Sequence, residues 1–289
     1  MARVAIVGVG AIGGALAALL EVTARHQITL CTRRPLPALT VKTPEGVVVV
    51  NGANLTDPSQ AVPVDWVLVA TKTYDADGAA TWLRSLCGNE TRVAVVQNGV
   101  EHRERFADRI SQQMTLPVVI DCPVERQANG TVHQRGVAKM QVETGSLGEE
   151  FVQLFAGSDA RIELTADFVS AAWRKLCTNA GGAISALTMK PSGVLRAEAA
   201  GQLARDIVAE CASVGRAEGA RLDENVGQQV LEGYRAQPGD SINSMLADRM
   251  AGRTMEIDAR NGVIVRKGER HGIPTPLNRM VVALLQAVQ

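Results

Sequence analysis

VAIVGVGAI, residues Val4–Ile12, is a short apolar strand that runs straight into Gly8-x-Gly10-x-x-Gly13 and then into the apolar stretch from Gly14 to Leu20. Glycine at the first position permits a tight turn, and at the second it lets a phosphate approach the backbone. At the third it lets the following helix pack closely on the sheet. The N-terminus of that helix then aims its unpaired N–H groups at an anion. Alone, this glycine spacing says little. Placed directly after a strand and before a helical run, at the start of the chain, it reads as a dinucleotide-binding turn.

The stretches that follow alternate between strand-like and helix-like patterns. A second strand is expected at Gln27–Thr32, ending at Arg33-Arg34, and two more at Leu39–Thr43 and Val47–Val50 around the turn signal Pro44-Glu45-Gly46. Trp66–Ala70 is nearly all apolar, as a strand covered on both faces of a parallel sheet should be. A helix at Ala76–Leu86 and a buried strand at Val93–Val96 follow. Met114–Ile120 and Val132–Val142 read as further strands, the latter antiparallel. From about Ala166 the spacing turns helical, over Trp173–Met189, Gly193–Glu218, Asn225–Tyr234, Ser244–Met250, Glu256–Glu269 and Pro276–Val288. The expected fold is therefore α/β: a Rossmann-like dinucleotide-binding domain over residues 1–165, then a mainly helical domain over 166–289.

Bulk properties narrow the function. The 289 residues are enough for two domains, and a hydrophobic share of 46% with 21% charged residues suits a globular chain. Thirty basic and thirty acidic side chains cancel, which argues against nucleic acid or an acidic membrane surface as partner. The apolar N-terminus is better explained by the nucleotide turn than by a signal peptide, and no long apolar run predicts a membrane span. Five scattered cysteines without a C-x-x-C pair fit free thiols in a reducing, cytoplasmic setting. Nothing in the histidine and cysteine spacing asks for a metal.

Several side chains invite chemistry. Arg33-Arg34, where a carboxylate would serve the ribose hydroxyls of NAD, favours the 2′-phosphate of NADP, and Arg33 comes first after the strand. In Ala171–Ala183, Lys175 and Asn179 lie four residues apart and share a helix face. A partly desolvated lysine can protonate a substrate oxygen that is becoming an alkoxide, although beside Arg174 it can equally be a solvated face. Glu256 either pairs with a lysine or supplies ordinary acidity at a helix start. Ser244 either positions a substrate or caps its helix. Lys72 and Asn98-Gly99, both at strand ends, either touch cofactor or substrate or simply turn the chain.

Taken together, these residues make the chain resemble the ketopantoate reductase family over nearly its whole length. The resemblance rests on Gly8-x-Gly10-Ala11-Ile12-Gly13, Arg33, Lys72-Thr73, Asn98-Gly99 and Trp173-Arg174-Lys175-Leu176 followed by Asn179. It continues through Ser244-Met245-Leu246-x-Asp248, Glu256-Ile257-Asp258, Asn261-Gly262 and His271-Gly272-Ile273-Pro274-x-Pro276-x-Asn278. It implies NADPH-dependent reduction of a small 2-oxo acid, with Lys175 as general acid and Glu256 as its orienting partner. Gly8, Val9, Gly10, Ala11, Ile12, Gly13, Arg33, Lys72, Asn98 and Glu256 would contact NADP. Asn98, Lys175, Asn179, Ser192 and Ser244 would contact the substrate, and a homodimer is a candidate assembly. Two departures concern substrate hydrogen bonding: Ala183 and Ser192 stand where family members carry asparagine, with Ser185 or Ser192 as candidate replacements. A different branched or bulky 2-oxo acid, or NADP binding without turnover, are the alternatives.

Overall fold

The computed structural model describes all residues, Met1–Gln289. They divide into two compact units: Met1–Gln97 with Glu101–Phe168, and Asn98–Val100 with Val169–Gln289.

The first unit is built on two sheets. Its strands are β1 (Ala2–Val7), β2 (His26–Cys31), β3 (Leu39–Thr43), β4 (Gly46–Val50), β5 (Ala53–Leu55), β6 (Trp66–Val69), β7 (Arg92–Val95), β8 (Thr115–Asp121), β9 (Val124–Arg126), β10 (Val132–Gln134), β11 (Lys139–Glu143) and β12 (Arg161–Thr165). An eight-stranded sheet runs β12-β11-β8-β7-β6-β1-β2-β5, and a four-stranded one runs β4-β3-β10-β9. In the large sheet β5, β2, β1, β6, β7 and β8 are mutually parallel, and β11 pairs antiparallel with β8. The central strands β1 and β6 are buried along most of their length, which accounts for their unbroken apolar runs. The helices of this unit are α1 (Ala11–Glu21), α2 (Ala76–Leu86) and α3 (Ser146–Leu154). Helix α1 packs on β1 and β2 of one sheet and on β3, β4, β9 and β10 of the other. Gly13–Leu20 is consequently buried without a break, and α1 lacks a polar face.

The second unit contains no strand. It comprises α4 (Phe168–Gly181), α5 (Ala183–Thr188), α6 (Glu198–Ala217), α7 (Val226–Ala236), α8 (Ser244–Met250), α9 (Val263–His271) and α10 (Pro276–Ala287). Their apolar faces meet in one core that includes Trp173, Leu176, Ile207, Val208, Leu231 and Ile264. The thiols of Cys177 on α4 and Cys211 on α6 lie 3.5 Å apart inside it. No helix of the chain is long and apolar enough to cross a membrane.

Several expected elements differ in detail. Val132–Val142 is two strands in different sheets, because the chain turns at Arg135-Gly136. There the Arg135 N–H donates to the Pro123 carbonyl at 2.8 Å, and a side chain at Gly136 would press on the Pro123 ring. The antiparallel reading holds for β11 against β8. Trp173–Met189 is likewise two helices, parted at Gly182, where a Cβ would come within 2.2 Å of the Tyr234 hydroxyl. The stretch from Gly193 opens with a 3-10 turn, Ser192–Arg196, before α6. Strands β5, β9 and β12 and helix α3 were not anticipated.

Candidate functional site

Each unit contributes one set of residues suited to chemistry. In the first, the turn after β1 needs its glycines for three separate reasons. Gly8 has φ +94°, and a Cβ there would also lie 2.6 Å from the Thr71 nitrogen. Gly13 lies so close to the turn that a Cβ would come within 2.1 Å of the Gly8 carbonyl oxygen. At Gly10 a Cβ would meet nothing within 4 Å, so open space faces the backbone at the start of α1. No side chain caps that helix, and no acidic residue stands in its first turn. An open cradle at an uncapped, positively polarised helix end fits a pyrophosphate, with Gly8, Val9, Gly10, Ala11, Ile12 and Gly13 around it.

The rest of this set is cationic. Arg33 follows β2 with its side chain 83% exposed, and its guanidinium stands 3.9 Å from the Asp75 carboxylate. A contact that long in solvent constrains it little and leaves the charge able to meet a phosphate. Lys72, half-buried, precedes the short turn Thr73–Asp75. Arg126, on a strand too short to read from sequence, donates its guanidinium to the Val9 carbonyl and so braces the glycine turn from behind.

The second set lies wholly in the helical unit, to which Asn98 belongs. Gly99 adopts φ +96°, so the Asn98-Gly99 dipeptide is a turn that only glycine takes without strain. Asn98 donates its amide to the Glu256 carboxylate at 2.9 Å. Asn179 on α4 donates to the Asn98 oxygen across a long 3.5 Å, and Arg260 donates to the Asn179 oxygen at 2.7 Å. The result is a directed chain, Arg260 to Asn179 to Asn98 to Glu256. A guanidinium can only donate and a carboxylate can only accept, so the two charged ends fix the orientation of both amides between them. Asn179, Glu256 and Arg260 are 6%, 6% and 3% exposed, and in such a dry setting each bond is stronger than it would be in water. Lys175 sits one helical turn before Asn179 and is half-buried, whereas its neighbour Arg174 is exposed. The solvated-face reading thus describes Arg174 better than Lys175.

Glu256 does not open a helix as expected. It lies just before one, and the next residues, Asp258–Gly262, form a turn of π-helix ahead of α9. Ala259, Arg260, Asn261 and Gly262 are all buried in this turn. Asn261 donates to the Asn278 oxygen at 2.9 Å, and Asn278 donates to Glu210 at 2.7 Å. Glu210 in turn accepts from the N–H groups of Leu277 and Asn278 at the start of α10, which anchors the π turn to α6 and α10.

Burial lowers the pKa of Arg260, an effect opposed by the charges of Tyr234, Glu256 and Asp248. Sequence reasoning passed over Arg260 because it sits inside a helical run among ordinary surface charges. The one available signal was its place between Glu256 and the Asn261-Gly262 pair.

The remaining expected residues stand apart from this chain of bonds. Ser244 is exposed at the first turn of α8, and the cap is Asn243, whose side chain accepts from the Leu246 N–H at 3.0 Å. Ser192 is buried, and its hydroxyl donates to the Ser241 carbonyl at 2.7 Å. Ala183 is fully buried in the apolar core, and the fully buried Ser185 hydroxyl has no hydrogen-bond partner.

Comparison with known proteins agrees along the whole chain. Residues 4–147 match the family described as ketopantoate reductase PanE/ApbA, and residues 167–289 match its C-terminal domain. A 2-dehydropantoate 2-reductase of Caulobacter vibrioides is 50% identical over 287 residues, covering 99% of each chain. One from Mycobacterium tuberculosis is 41% identical over 287 residues, covering 98% of this chain and 97% of its own. The crystal structure of a PanE/ApbA family ketopantoate reductase from Ralstonia eutropha superposes with a TM-score of 0.90 at 31% identity, over 99% of this chain and 98% of that one.

Proposed function

The chain belongs to the ketopantoate reductase family, and from that premise we propose that it reduces 2-dehydropantoate to pantoate with NADPH, a step towards pantothenate. The names of its relatives support the substrate. The observation that carries the reading is the run of bonds from Arg260 through Asn179 and Asn98 to Glu256, with Lys175 one turn away on α4. It supplies a cation, two oriented amides and a carboxylate, with a half-buried lysine one helical turn from Asn179, and these are the groups a 2-oxo acid and its developing alkoxide require.

The reduced nicotinamide supplies the hydride when bound. The glycine turn Gly8–Gly13 would hold the cofactor's pyrophosphate and Arg33 its 2′-phosphate, with Lys72 as a further contact. Lys175 donates a proton from Nζ to the ketone oxygen as negative charge gathers there. A fixed ammonium favours that charge more than it favours the neutral ketone, so the interaction raises kcat and not merely affinity. Glu256 keeps the lysine and the Asn98 amide in place, and Asn98 and Asn179 position the substrate.

A second reading, a different branched or bulkier 2-oxo acid, is favoured by Ala183 and Ser192. The first offers no donor, and the second spends its donor on a backbone carbonyl. NADPH consumption with ketopantoate, beside pyruvate, 2-oxoisovalerate and bulkier 2-oxo acids, separates the two. A kcat/KM highest for ketopantoate supports the first reading, and a clear preference for another acid overturns it in favour of the second.

A further inference from the structure

Arg260 is the least expected charge in the helical unit. Its side chain is 3% exposed, it donates to a neutral amide, and its Nε–H is buried with no acceptor. Buried guanidinium groups are as a rule satisfied by carboxylates, because a charge removed from water needs both a countercharge and acceptors for its five N–H groups. The nearby carboxylates are turned to other partners: Asp248 accepts from the Arg253 Nε at 2.9 Å, and Glu256 accepts from Asn98. They act on Arg260 through space only. If its task were to hold the Asn179 oxygen, a glutamine amide would do so without the cost of a buried charge. A buried cation with an unfilled Nε–H and no hydrogen-bonded carboxylate leaves a place for an anion.

Resting on the reductase reading above, we infer that Arg260 is the specificity-determining residue that binds the substrate's carboxylate. A 2-oxo acid brings a planar carboxylate next to its ketone carbon, and a guanidinium fork matches that group with two parallel hydrogen bonds. Arg260 is linked to Asn179, and Asn179 lies one helical turn from Lys175. One end of a short 2-oxo acid thus meets the guanidinium while its ketone faces the lysine. The inference also explains how the unit recognises an acid although Ala183 is sealed in the core and the Ser192 donor is spent. Arg260 lies within the π turn, whose residues Ala259–Gly262 are all buried.

The test compares the 2-oxo acid that the wild-type holoenzyme reduces best with the primary carboxamide of the same compound, in wild type, Arg260→Gln and Arg260→Lys. Glutamine keeps a donor for Asn179 and removes the charge. The expected result is a loss of roughly a hundredfold to a thousandfold in kcat/KM for the acid, mostly through KM. The carboxamide should change little, and lysine should restore part of the acid preference. If acid and carboxamide fall together, Arg260 only positions Asn179 and the assignment is overturned. Wild-type turnover of no 2-oxo acid overturns the reductase reading itself, which is a different outcome. Should Arg260→Gln fail to fold, the Nε–H resonance of Arg260 in the wild-type holoenzyme, assigned by its absence in Arg260→Lys, provides the measurement. It should shift on addition of the 2-hydroxy acid and not of its amide, and an unmoved resonance overturns the assignment.

Discussion

The two units build their candidate sites from different materials. In the first, the cradle is backbone: three glycines, an uncapped helix end and the Val9 carbonyl braced by Arg126, with one exposed arginine at the margin. In the second, the site is side chain throughout, a file of buried polar groups whose members are 81 and 158 residues apart in sequence. The units also bury ionisable groups in opposite ways. His102 in the first donates from Nε2 to the Gln97 carbonyl at 3.0 Å, and burial brings its pKa down to about 3, so it stays neutral. Arg260 in the second has no neutral form to adopt at accessible pH and keeps its charge. A backbone site tolerates change at its edges and fails at its glycines. A side-chain network fails wherever one member is removed.

The sharpest way to break this comparison is at Lys175. Lys175→Ala should cut kcat at least about a hundredfold with the thermal unfolding midpoint preserved, and a near-normal kcat would remove it from proton donation. Gly13→Ala tests the backbone site, since the added methyl must displace the Gly8 carbonyl. It should weaken dinucleotide binding by roughly tenfold to a hundredfold and cost about 1–3 kcal/mol in denaturant unfolding. Unchanged NADPH titrations would mean that the turn is looser than its geometry suggests. Arg33→Ala probes the margin: NADPH affinity should fall roughly tenfold and NADH affinity hardly at all. Equal losses for both cofactors would move the 2′-phosphate elsewhere.

The smallest effect near neutral pH concerns His102. Because its folded pKa is depressed from 6.5 to about 3, the unfolded chain binds an extra proton between those values. Its contribution is intact above about pH 6.5 and is lost as pH falls towards 3. His102→Gln should flatten the fall of the unfolding midpoint across that window, and an unaltered slope would mean that other groups govern acid sensitivity.

Legibility in the sequence followed the same division. The turn at Gly8–Gly13, the helix Ala76–Leu86 and the strand at Trp66 were readable because each is encoded by near neighbours: glycine spacing, helical period or an unbroken apolar run. Strands β5 and β9, three residues each, exist only because β2 and β10 offer them hydrogen bonds, so no local pattern announces them. Lys175 and Asn179 were legible as a pair because four residues is a helical repeat. That Asn98 meets Glu256, or that Arg260 bonds Asn179, depends on contacts 158 and 81 residues apart in the chain, and periodicity carries no trace of them.

The three residues Asn98–Val100 are counted with the helices although the sequence before and after them builds sheets. No single cut therefore yields the helical unit entire. A fragment beginning at Val169 would leave the Glu256 carboxylate in a dry interior without the Asn98 amide, and an uninterrupted excision of residues 1–168 would carry Asn98 away from Glu256.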